Sequence, residues 1–141
     1  LVDMYTKCTE NCIKEKILTA FAIPDSTLKV IIATTAFGMG IDCPNVRHVV
    51  HWGPAEDVKS YVQQTGRGHD GINSKATLYF SLSDRKNTDS DMIDYCTKRT
   101  LCRRQLLFAD FCDTALLNPS IVGCQCCDVC STSCKCGSCS A

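Results

Sequence analysis

Thirteen of the 141 residues are cysteine, and eight of those thirteen fall between Cys112 and Cys139. Within that stretch, Cys124-Gln125-Cys126-Cys127-Asp128-Val129-Cys130 carries the spacing Cys-x2-Cys-x2-Cys on Cys124, Cys127 and Cys130. Two residues between thiolates let a tight turn aim both sulfurs at one ion, with Zn–S near ~2.3 Å, and a third ligand closes another face of the tetrahedron. The fourth must come from elsewhere in the chain. Cys102 is the best candidate and Cys112 the next. Cys134, Cys136 and Cys139 form a smaller cluster that would need Cys112 or Cys126 as a fourth ligand, and a flexible tail is the expectation there. An odd total excludes complete intramolecular pairing, and the first hundred residues hold only Cys8, Cys12, Cys43 and Cys96. The pattern therefore predicts a reduced, intracellular protein whose C-terminal part folds around one structural Zn²⁺. A site with all four positions held by protein leaves none open for catalysis.

Charge and hydropathy narrow the function further. Lys and Arg total 15, as do Asp and Glu, so any attraction to nucleic acid must be local. The apolar fraction of 45% argues for a folded chain. No apolar run approaches the ~20 residues that a membrane-spanning helix needs. The chain opens Leu1-Val2-Asp3 with no leader pattern, and reads as a piece of a longer or processed protein.

Ile13, Ile17, Ala20 and Phe21 predict an amphipathic helix over 10–21 with Thr9 as N-cap. The continuous run Val30-Ile31-Ile32-Ala33 predicts a strand buried on both faces. A second strand follows at Val46–Trp52, then a helix entered at Pro54 and running to about Thr65, then a strand at Ala76–Phe80. That order is the back half of an open α/β sheet. Past a boundary near residues 82–90, helices are expected around Met92–Cys96 and Thr100–Phe111.

Two loops in the sheet region could carry chemistry. Gly38 and Gly40 permit close backbone approach to a phosphate, Thr34 adds a hydroxyl at the strand end, and Asp42 can accept a ribose hydroxyl. Gln63 and Arg67 offer an amide and a guanidinium fork at a helix end. Ordinary turn glycines and a solvated helix-terminal Arg are the plainer readings of the same residues. His48 and His51 read as structural, and His69 has no cysteine cluster near it in sequence.

Taken in order, these segments resemble one family. Ile32-Ala33-Thr34-Thr35-Ala36-Phe37-Gly38-Met39-Gly40-Ile41-Asp42 resembles motif V of RecQ-type DNA helicases, and Asn45–Trp52 continues the match. Residues 63–71 resemble motif VI. Met92, Tyr95-Cys96 and Cys102-Arg103-Arg104, followed by Cys124, Cys127 and Cys130, resemble the family's zinc-binding subdomain. The resemblance implies an incomplete RecA-like parallel sheet with flanking helices over residues 1–82, a small helical zinc-binding subdomain over 83–132, and a Cys-rich tail over 133–141. It places Thr34 and Gly38 beside the DNA backbone and Asp42 near the nucleotide. Gln63 and Arg67 face the triphosphate across a cleft shared with a first motor domain. Cys102, Cys124, Cys127 and Cys130 hold zinc, while Arg103 and Arg104, with Lys98 and Arg99, are candidates for DNA phosphates.

The implied function is that of a fragment of an ATP-dependent 3′–5′ DNA helicase, supplying DNA-backbone contacts and half of the ATP cleft. Such a protein would serve DNA repair or recombination, in the nucleus where there is one. The alternative is a non-catalytic zinc-binding DNA-interaction module derived from such a helicase. The sequence contains neither a GxxxxGK[ST] phosphate loop nor an Asp-Glu-x-His box, so this chain alone is expected not to hydrolyse ATP; ATP and Mg²⁺ belong to the complete protein. The family's Gly-Arg-Ala-Gly-Arg-Asp-Gly reads Gly66-Arg67-Gly68-His69-Asp70-Gly71 here. It is one residue short, with His69 at the place of the arginine finger.

Overall fold

The computed structural model describes residues 1–37, 43, 45–66, 74–109 and 126–134. The chain divides into two compact units, one of Leu1–Gly53 with Lys59–Tyr79 and one of Pro54–Val58 with Phe80–Ala141.

In the first unit β1 (Val2–Tyr5) pairs in parallel with β2 (Val30–Ala33), in the register Val2↔Val30 to Tyr5↔Ala33. The strand at Val2–Tyr5 carries too few residues to announce itself by alternation. Between the two strands runs α1 (Asn11–Ala22), the crossover that a parallel pair requires. Glu10, not Thr9, precedes the first helical residue, and its carbonyl accepts from the amides of Ile13 and Lys14 at 3.0 and 2.9 Å. Thr9 instead closes the turn after β1, where its hydroxyl accepts from the Thr6 amide at 3.0 Å.

Ile17 of α1 is 3% exposed and packs with Tyr5 and Leu28, flanked by Leu18, Ala20, Phe21, Ile31 and Phe37. The Tyr5 and Phe37 rings meet edge to face at 5.2 Å. Ile13 lies outside that core at 41% exposed, one helical turn short of the contact. The expectation that β2 is buried on both faces is corrected as well. Ile31 faces the core, whereas Val30 and Ile32, like Val2 and Met4 beside them, are exposed. Alternation sets this: residues two apart share a face, and α1 covers only one.

A second two-stranded parallel sheet joins β3 (His48–Trp52) to β4 (Lys75–Tyr79), from His48↔Lys75 to Trp52↔Tyr79. The single continuous sheet expected from sequence is therefore two parallel pairs among the described residues. The connection passes through α2 (Val58–Thr65), whose Tyr61 is 3% exposed and lies 4.9 Å from the His51 ring. Pro54 stands four residues before this helix rather than in its first turn. Gly53 ends β3 at φ +98, a conformation that only glycine adopts at little cost. His48 Nε2 meets Thr77 Oγ1 at 2.8 Å across the sheet, and burial lowers the pKa of His51, which keeps its ring neutral.

The second unit begins with a short 3₁₀ turn at Leu82–Asn87, held by the Asp84 carboxylate accepting from the Ser81 amide at 2.7 Å. Next comes α3 (Ser90–Thr97), whose Met92 is fully buried. The Asp89 amide donates to the Glu56 carbonyl at 2.8 Å, tying the start of α3 to the 54–58 segment. Two short helices complete the described part, α4 (Arg103–Phe108) and α5 (Asp128–Ser133). The helix expected over 100–111 thus starts only after Cys102.

Candidate metal centre

Cys102 and Cys127 each stand at the N-cap of a short helix, α4 and α5 respectively, and of the two only the Cys127 side chain makes a cap hydrogen bond. A side-chain acceptor at that position meets backbone N–H groups that have no partner inside the helix. Cys127 Sγ accepts from the Cys130 amide and from the Arg103 amide, each at 3.4 Å. One sulfur therefore touches the first turns of both helices. Cys130 sits in the first turn of α5, and Cys126 directly precedes the cap.

These placements converge. The sulfurs of Cys102, Cys126, Cys127 and Cys130 all lie within 4.8 Å of one another, and those of Cys102 and Cys126 are 3.6 Å apart. A tetrahedron with Zn–S of about 2.3 Å has S···S edges of about 3.8 Å, so a small contraction turns this group into a complete thiolate shell. The Cys-x2-Cys-x2-Cys spacing treats Cys126 as a spacer, and the structure makes it a member of the group. Its signal is the cap at Cys127, which folds the preceding residue back towards Cys102. Cys124 lies outside the described residues.

The thiols are electrostatically unequal. Burial pushes Cys102 up, but the amides of Gln105 and Arg104 and the contacts from Cys126 and Cys130 outweigh it and bring the thiol down to about 7. Burial and hydrogen bonding to Cys127 and Cys102 push Cys130 up to about 12. Cys126 is raised by burial and by its contact with Cys102. One thiolate, that of Cys102, thus forms readily, while those of Cys126 and Cys130 are costly. A divalent cation removes that penalty, so the donor set fits a soft, tetrahedral metal such as zinc.

A guanidinium stands beside the cluster. Arg103 forks onto Asp128, with Nε to Oδ1 at 2.9 Å and Nη2 to Oδ2 at 3.0 Å. Its Nη1 donates to the carbonyls of Tyr95 and Lys98, the latter at 2.9 Å, and the group lies 5.5 Å from the Tyr95 ring centre. The carboxylate raises the pKa of Arg103, and the guanidinium lowers that of Asp128. Arg103 is held in this arrangement by four hydrogen bonds. Lys98 pairs with Asp94 at 2.6 Å, whereas Arg99 and Arg104 are exposed.

The remaining expected site residues are more scattered. Thr34 is exposed at the end of β2, its amide donating to the Tyr5 carbonyl at 3.2 Å. Gln63 is exposed on α2. Gly38, Asp42, Arg67 and His69, together with Cys112, Cys136 and Cys139, lie outside the described residues. No helix among the described residues is long and apolar enough to cross a membrane.

Comparison with known proteins bears on both units. Residues 2–70 match the helicase conserved C-terminal domain. The chain is similar to an ATP-dependent DNA helicase Q-like 2 of Arabidopsis thaliana, 37% identical over 98 residues that cover 60% of this chain and 14% of that protein. A putative ATP-dependent DNA helicase Q1 of Caenorhabditis briggsae is 36% identical over 120 residues, 75% of this chain and 19% of the relative. An ATP-dependent DNA helicase Q5 of Rattus norvegicus is 39% identical over 82 residues, covering 57% and 8% respectively. The chain thus spans less than a fifth of the length of these relatives.

Proposed function

We propose that this chain, of the RecQ helicase type, forms part of an ATP-dependent 3′–5′ DNA helicase, supplying DNA-backbone contacts and half of the ATP cleft. The observation that carries this reading is the helicase C-terminal domain over residues 2–70 followed, in the same chain, by a four-thiol cluster. In it, residues 1–82 are the second RecA-like domain, 83–132 the zinc-binding subdomain and 133–141 a tail.

Thr34 and Gly38 approach the DNA backbone, and Asp42, Gln63 and Arg67 face the nucleotide. Arg104, with Arg99, adds exposed charge for phosphates. ATP and Mg²⁺ are held mainly by a first motor domain, which provides the phosphate loop this sequence does not contain. Zinc is held by Cys102, Cys127 and Cys130 with one further thiolate. The fourth place has two claimants: Cys126 by its position in the cluster and Cys124 by its spacing. The metal supplies folding free energy and no chemistry, since four thiolates fill its coordination.

Replacing the corresponding segment of an active RecQ-type helicase by this chain tests the reading. The chimera should bind ATP and DNA but turn ATP over slowly. A finger Arg stabilises charge developing on the transferred phosphoryl group, an effect of about 10³-fold or more, and a histidine side chain is shorter and lacks the guanidinium fork. Restoring Ala-Gly-Arg after Arg67 should recover turnover, and His69→Arg alone should recover less. A chimera that binds neither ATP nor DNA would overturn the proposal.

A further inference from the structure

We infer that Arg103 and Asp128 form a positioning pair for the metal centre, locking two ligand-bearing helix starts together. The inference rests on the zinc reading above, and goes beyond it by naming what orders the ligands. Arg103 follows Cys102, and Asp128 follows Cys127. Each member of the fork is thus one peptide unit from a ligand at a helix N-cap. The two parallel N–H···O bonds fix distance and orientation together, which a single contact or a point charge does not.

The same guanidinium also closes the end of α3. Tyr95 belongs to the last turn of that helix and Lys98 is its C-cap, and both carbonyls accept from Nη1. Carbonyls there lack partners inside the helix and carry the negative end of its dipole, so a cation is favoured. A third link is main-chain, the Arg103 amide donating to Cys127 Sγ at 3.4 Å. Three short helices, each too short to persist alone, therefore converge on one side chain that is 15% exposed. Asp128, at 65% exposed, would add little as an ordinary surface ion pair. Its importance here is that it holds Cys127 against Cys102.

Groups that orient metal ligands without touching the metal typically change affinity by about 10- to 100-fold when removed. The test is zinc release from the zinc-loaded 141-residue chain into excess chromophoric chelator under reducing conditions, with circular dichroism of each loaded variant recorded beside it. Arg103→Ala and Asp128→Asn should each speed release within that range while the loaded spectrum is kept. The double variant should be no faster than the faster single one, because the two residues act through one contact. Arg103→Lys should resemble Arg103→Ala. Wild-type release rates in the single variants would overturn the inference, and so would full rescue by Arg103→Lys, which would reduce the fork to charge alone. Cobalt titration of each variant provides a second reading, where an unchanged four-thiolate spectrum at unchanged affinity again overturns it. Wild-type chain that retains no zinc would instead overturn the zinc reading itself.

Discussion

Cys127→Ser separates two roles that one sulfur performs. Cys127 caps α5 by accepting from the Cys130 amide at 3.4 Å, and it also belongs to the cluster whose sulfurs lie within 4.8 Å. Serine is among the best N-cap residues, so the substitution keeps the cap, and a hydroxyl oxygen sits naturally at the shorter N–H···O distance. It does not keep the ligand, because a hydroxyl stays protonated at neutral pH and binds zinc poorly. Binding of structural zinc in small domains is worth about 10–16 kcal/mol at pH 7. Shared over four thiolates, that is about 2.5–4 kcal/mol each, on the order of 10²- to 10³-fold in affinity. Competition against a chelator of known affinity, under reducing conditions, measures the loss. The metal-free variant should retain the helix content of metal-free wild type, since the cap survives. Unchanged zinc affinity in Cys127→Ser would refute the assignment of this sulfur to the shell. Lost helix content in the metal-free state would refute the claim that serine preserves the cap.

The fourth ligand is decided by comparing Cys126→Ser with Cys124→Ser. The described geometry expects the first to be the more damaging, and a cobalt-loaded Cys126→Ser that retains a four-thiolate spectrum would assign the place to Cys124. Neutralising Arg99 and Arg104 should weaken DNA binding and flatten its salt dependence by about one ion for each phosphate no longer neutralised, whereas Asp94-paired Lys98 should matter less. An unaltered slope in log affinity against log salt would show that these two residues do not meet phosphates. Zinc affinity should fall with acidity: Cys126 and Cys130 are raised, so metal must displace their protons, and Cys102, lowered to about 7, adds another as pH drops through that value. Each displaced proton steepens the dependence by roughly tenfold per pH unit, so the slope should be greater below about pH 7 than above it. Equal slopes on both sides, measured by chelator competition, would contradict the low Cys102 value.

Much of the α/β order is legible because it rests on periods that sequence displays directly. Ile17, Ala20 and Phe21 recur at helical spacing, and the helix they predict differs from Asn11–Ala22 by a residue at each end. Val49-Val50 and the run near Leu78 likewise mark strands that pair in parallel. What a period does not encode is which face receives a cover. The apolar run at Val30–Ala33 looks the same whether one face or both are buried, and only the position of α1 leaves Val30 and Ile32 exposed. Thr9 departs from its expected role for a related reason. A threonine before a helix and a threonine closing a turn have the same local sequence, and the Thr6 amide decides between them.

The metal centre divides along the same line. Cys127 and Cys130 stand out by their short spacing and Cys102 as the best candidate for a ligand from elsewhere in the chain, and the structure brings these three together. Cys126 and Asp128 are hidden inside the motif, since spacing arguments treat the residues between ligands as filler. Both are explained by the cap at Cys127. Cys127 is extended, at φ −161 and ψ 174, where the chain enters α5, and Cys126 just before it lies against Cys102 on one side. On the other side Asp128 stands in the first turn, facing the Arg103 fork. Arg103 is the harder residue to read. Beside Lys98, Arg99 and Arg104 it looks like one of four equivalent charges for phosphate. Its commitment to Asp128 and to the end of α3 follows only once residues 24 apart, Arg103 and Cys127, are joined by a hydrogen bond. Four of the five donors of a guanidinium so placed are already used within the chain. Basic residues in this helix pair therefore have to be sorted by partner, with Arg99 and Arg104 left to face solvent and whatever anion it carries.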